Sequence, residues 1–254
     1  MEVHRKGNAM NLTEKNAILK KITLRFFLMI GISSLRAQII TTKSVIDIDD
    51  NVYKTVIIGH YEWMAENLKV TTYNNGNKIS NITGSIDWTK LNSGAYCWYN
   101  NDESNSAIYG ALYNWYAVNT GNLCPDGWRV PTFKDWKDLE AYVDTEFGVG
   151  DTTWDETGLK GFDVALGLKS NSGWEKSGNG LNRFGFSALP GGERLSGDGR
   201  FFLLGFNGFW WTGNEDTIND GKAIYRSLIY AFDQMMRYSH DKTFGFSVRC
   251  IRNK

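Results

Sequence analysis

The chain has 254 residues, 42% of them hydrophobic and 22% charged, with a formal net charge of zero. These values exclude a fibre and a wholly disordered chain. The charge is uneven: residues 1–37 hold seven Lys/Arg and two Asp/Glu, leaving 21 basic and 26 acidic side chains for the rest. That mildly acidic remainder argues against a nucleic-acid reader and against a polybasic membrane patch.

In chain order, Lys15, Lys20, Lys21 and Arg25 precede the apolar run Phe26 to Leu35, and Leu35-Arg36-Ala37 follows. This pattern predicts a cleavable export signal over residues 1–37, with Met10 as an alternative start. Ten apolar residues make only about 15 Å of helix, too short for a membrane span. Residues 38–254 are then one exported domain, periplasmic or extracellular, with no second long apolar run. Ten Trp and 27 Gly against 3 Pro predict large aromatic cores and turns made by Gly and Asn.

Val45, Ile46 and Ile48, the turn Asp49-Asp50-Asn51, and Val52 to Ile58 predict a hairpin. Its acids lack the spacing of a calcium loop. Ala95 to Tyr99 reads as a short strand, followed by the polar loop Asn100 to Asn105. Ala111 to Val118 reads as a short helix. The clearest helix is 133–146. Thr132 is its N-cap with Asp135 three residues on, and Phe133, Trp136, Leu139 and Val143 share one face. Further strands are expected at 184–189, 200–204, 209–212, 223–230 and 244–251. One clear helix, one or two lesser ones and many short strands give an α+β class.

Enzyme motifs for nucleophilic, zinc, phosphate-loop or dinucleotide chemistry are absent, so the domain reads as non-catalytic. Three scattered His and three Cys without a CxxC give no zinc set. Three cysteines in an exported chain leave one unpaired.

Several blocks in order resemble the Fibrobacter succinogenes major paralogous domain: DIDDNVYKTVIIG (47–59), WMAENLK (63–69), AYCWYNND (95–102), YGALYNWYAV (109–118), LCPDGWRVPT (123–132), FSALPGGER (186–194), FWWT (209–212) and GFSVRC (245–250). His60-Tyr61 departs from the polar residue and Gln more usual there. The resemblance implies a loop-rich fold similar to C-type lectins, with the chain ends brought into one sheet. It also implies a disulfide between Cys124 and Cys250, in the contexts LCPDGW and SVRC. The related formylglycine-generating group needs a copper-holding cysteine pair, which Cys97 alone does not supply.

Two loops follow aromatic strand ends with oxygen-rich side chains. One is Trp98, Asn101, Asp102 and Glu103; the other is Trp211, Asn214, Glu215 and Asp216. With Arg194 they form the expected recognition surface, converging on one face. No cofactor is expected, although such oxygens would suit calcium. WTGNED is loosely similar to the Trp-Asn-Asp element of calcium-dependent lectins, in a different order and without a matching Glu-Pro-Asn. The expected role is an exported binding module for a glycan or another extracellular polymer. The alternative is a structural or adhesive module with an envelope-protein partner.

Overall fold

The computed structural model describes residues 43–254, so the expected leader lies outside the described residues. Residues 43–254 lie in one compact unit. The first hairpin pairs β1 (Lys43–Ile46) with β2 (Val52–Ile58), Ile46 opposite Val52. Its turn is built by Asp47, whose carboxylate accepts from the Asp49 and Asn51 backbone N–H groups at 2.9 and 3.0 Å and from the Tyr53 hydroxyl at 2.6 Å. These oxygens are spent on the turn, as expected of Asp in such a loop. β3 (Tyr61–Met64) continues the sheet, and the last strand, β13 (Ile251–Asn253), adds to β3. The order is β1-β2-β3-β13, so the first and last described strands share one sheet.

A small sheet joins β4 (Ser80–Asn81), β5 (Ala95–Cys97) and β6 (Leu112–Tyr113). The short helix expected over 111–118 is only Trp115–Val118. Asn114, fully buried, ends the strand and starts the helix: its Oδ1 accepts from the N–H groups of Ala95 and Ala117. Gly110 has φ 72°, and a Cβ there would lie 2.7 Å from the Leu68 carbonyl oxygen, so the chain passes only as glycine.

The largest sheet runs β7-β12-β11-β10-β8-β9: β7 (Gly158–Lys160), β12 (Met235–Asp241), β11 (Lys222–Ile229), β10 (Asn207–Glu215), β8 (Gly191–Arg194) and β9 (Phe201–Leu204). All neighbours are antiparallel except β8 and β10. The helix Phe133–Val143 covers one face. Its capping box is complete, with Thr132 and Asp135 each bonding the other's backbone N–H. Trp136, Leu139 and Val143 pack there with Trp63, Phe186, Trp210, Leu228 and Met235. Because strand side chains alternate, Phe209 and Trp211 point the other way. They enter a second core with Tyr113, Trp115, Tyr225 and Phe246.

Two expected strands are corrected. Residues 184–189 form a turn, because Gly185 and Ser187 hold φ of 72° and 53°; only Ala188 bridges, to Lys169. Residues 244–250 are extended but belong to no single sheet. Phe246 exchanges hydrogen bonds with Tyr113, Ser247 N–H donates to Phe209 and its carbonyl accepts from Trp211, and Cys250 accepts from Met64. This segment therefore knits all three sheets together. The overall class is α+β with few helices, as the residue pattern implied.

Candidate functional site

The motif blocks converge inside the molecule. Asn67 of WMAENLK accepts at Oδ1 from Trp210 Nε1 at 2.9 Å and from Arg249 Nε at 2.8 Å. Arg249 also donates to the Phe186 and Ser187 carbonyls, with Phe186 beneath its guanidinium at 4.3 Å. Asn67 is 5% exposed and Arg249 1%, so this node joins four sequence blocks as a structural fastening. Cys124 and Cys250 form the expected disulfide, and Cys97 is free and buried. Burial pushes the Cys97 thiol up to about 12, which removes it as a nucleophile.

The family model of the Fibrobacter succinogenes major domain matches residues 56–252. The chain belongs to that family. No curated protein matches it, and no solved structure does.

Within this Fibrobacter succinogenes major domain, the expected site residues divide. Arg194 is wholly buried: Nε donates to Gly199, Nη1 to Ile82 and Nη2 to Thr83, and the guanidinium lies between the rings of Trp88 and Phe201. Trp211 is also wholly buried, with Nε1 donating to the Tyr113 carbonyl at 2.8 Å. Trp98 is 8% exposed and packs edge-on to Tyr96. These three are corrected to core residues; the polar groups of Arg194 and Trp211 are satisfied inside, and Trp98 is covered by packing, so a ligand finds no free face.

The exposed members are held locally. Asn101 donates to Thr83 at 3.0 Å. Asp102 accepts from the N–H and hydroxyl of Ser104, and those bonds hold its carboxyl below the usual range. Glu103 is exposed on the next turn. In the second loop, Asn214 Oδ1 accepts from Phe133 N–H at 2.6 Å, serving the first turn of the long helix. Glu215 pairs with Lys242 at 2.8 Å. The two loops are thus anchored to different elements, the first at Thr83 with Arg194 beneath it, the second at Phe133, Lys222 and Lys242. Among the described residues no three His, Cys, Asp or Glu side chains gather as a metal set.

Asp216, one of the nine, lines a cleft. That cleft, about 160 Å³, is bounded by Thr157, Asp216, Asn219, Lys222, Arg237, Tyr238 and Ser239, with Ile218 and Ile224 at its apolar side. Tyr238 is 52% exposed. Asp216 Oδ1 accepts from the Ile218 and Asn219 N–H groups and Oδ2 from the Asn219 amide. Burial is the largest single influence on its carboxyl and raises it, but bonds from Ser239, Asn219 and these backbone groups together outweigh that and hold it well below the usual range. Arg237 Nη1 donates to the carbonyls of Asp155 and Glu156.

Glu140 and Glu193 are among the buried acids that lie elsewhere. Glu140 is wholly enclosed with Arg226, bonded at Oε1, and Lys160, 3.5 Å from Oε2. Glu193 is 6% exposed, and burial pushes its carboxyl up to about 7. The Glu140 group has no solvent access for a substrate. Arg237, Tyr238 and Ser239 escaped the sequence reading because Met235–Asp241 (MMRYSHD) lacks the apolar alternation of a half-buried strand.

Proposed function

We propose that the protein is an exported, non-catalytic binding module that takes a glycan or another extracellular polymer at the Asp216–Tyr238 cleft. The observation that carries this reading is a concavity lined by the Asn219 amide, the hydroxyls of Thr157 and Ser239 and the charged groups of Asp216, Lys222 and Arg237, the chemistry that a sugar's hydroxyls need. A C-type-lectin-like relation is consistent with a mixed, loop-rich domain whose first and last strands share a sheet. Export is supported by the leader pattern and by a disulfide, which persists outside the reducing cytosol. Among the described residues no helix is long and apolar enough to cross a membrane.

A glycan array probed with the secreted protein tests the reading. Binding that Asn219→Ala removes, with the melting temperature unchanged, supports it. Binding to no glycan overturns it in favour of a structural or adhesive module with an envelope-protein partner. That second reading has its own observation: Ile46, Ile48 and Val52 stand 57%, 47% and 55% exposed around the first hairpin, an apolar patch on one end of the domain.

A further inference from the structure

We infer that the cleft selects an acidic polysaccharide, with Lys222 and Arg237 receiving a carboxylate or sulfate group on the sugar; this rests on the binding-module reading above. Lys222 lines the cleft, and the acids around it are engaged elsewhere. Glu215 pairs with Lys242. Asp216 is filled by its own turn. Asp220 accepts from Gly221 N–H, and Asp241, opposite Lys222 across the strands, accepts from the Ser196 hydroxyl. No ion pair or hydrogen bond of the Lys222 ammonium is found among the described residues.

Arg237 stands directly opposite Arg226 on the neighbouring strand. Like charges so placed repel unless compensated. Four cations surround the Phe133 ring: Arg237 at 4.7 Å, Arg226 at 5.1 Å, Lys137 at 5.5 Å and Lys160 at 5.9 Å. Two carboxylates answer them, Glu140 and Asp155. Nη1 and Nη2 of the wholly buried Arg226 have no partner in the interior. Positive potential therefore lies behind the cleft wall, where low dielectric strengthens it. Thr157, Asn219 and Ser239 add groups of hydroxyl-binding type around the two cations. The Asp216 carboxylate is taken up by its own turn, whereas the Lys222 ammonium is the cleft's open charged group.

Calorimetric titration of the secreted protein decides the point, using oligogalacturonate, chondroitin sulfate oligomers, and neutral galactan oligomers of equal length. The expected result is at least about ten-fold tighter binding of an acidic series, weakening with added salt as screened charges must. Lys222→Gln should lose at least about ten-fold of that affinity and Lys222→Glu all of it, at unchanged melting temperature. Equal binding of neutral and acidic oligomers, or no effect of Lys222→Gln, overturns the inference while leaving the glycan module standing. Binding of free sulfate or monomeric galacturonate as tightly as the oligomers also overturns it, as a small-anion site. No binding of any oligomer removes both readings.

Discussion

The two faces of the six-stranded sheet are buried by different chemistry. On the face beneath the long helix, Trp136, Trp210, Leu228 and Met235 surround a wholly enclosed Glu140 held between Arg226 and Lys160. On the other face, Phe209, Trp211, Tyr225, His240, Phe244 and Phe246 form a continuous aromatic series, from the stacked Phe209–Phe246 pair at 5.1 Å to the stacked His240–Phe244 pair at 4.0 Å. The aromatic face needs no partner beyond its own rings, which favour offset and edge contacts. The charged face is stable only while its one carboxylate is present, because removing one member of a buried pair strands the others. Burial pulls Lys160 down to about 8 despite the nearby Glu140, a sign that desolvation there outweighs attraction.

The largest effect should come from the aromatic side, where both half-cystines lie. Cys124→Ser with Cys250→Ser releases a link between residues 126 apart, worth about 5 kcal/mol in the chain-entropy description. Urea unfolding measures it; a loss near zero would mean that the aromatic packing constrains the chain unaided. Next, Glu140→Ala should cost about 3–5 kcal/mol by leaving Arg226 and Lys160 uncompensated, whereas replacing all three by Met should recover most of it. If single and triple replacements cost the same, the charged face is held by shape and not by charge.

The smallest effect is confined to a pH window. Glu193 sits at the margin of the aromatic face, where its charge adds to the burial that raises the Tyr225 phenol. Its folded carboxyl, near 7, lies above the ordinary value of 4.5. The folded state thus holds the proton more tightly, and this contribution is full below pH 4.5 and lost as pH rises through 7. Glu193→Gln should therefore stabilise by up to about 3 kcal/mol at pH 8 and leave stability at pH 4 unchanged. Melting curves at the two pH values check it, and an equal shift at both would refute the assignment.

The same two-sided burial explains which parts of the sequence could be read. The first hairpin and the long helix were legible because each carries its own punctuation, Asp47 to Asn51 in one case and Thr132 with Asp135 in the other. The disulfide followed from its motif contexts. The candidate site was largely illegible. Trp210 and Trp211 are consecutive, so one at the strand end seemed free for a ligand. Covering on both faces buries both. Arg194 has the charge of a binding residue, yet three backbone carbonyls and two rings enclose it, partners that lie up to 112 residues away. The cleft depends on an edge of β12 that β7 leaves uncovered beyond Arg237, and no local pattern marks it.

β13 has a consequence for the order in which the molecule can assemble. It closes the first sheet against β3, and Arg252 donates to Glu62 across 190 residues of chain. Until that strand has been synthesised, the outer edge of β3 offers unpaired N–H and C=O groups. The first sheet therefore cannot finish as its own residues emerge, because its last pairing is non-local.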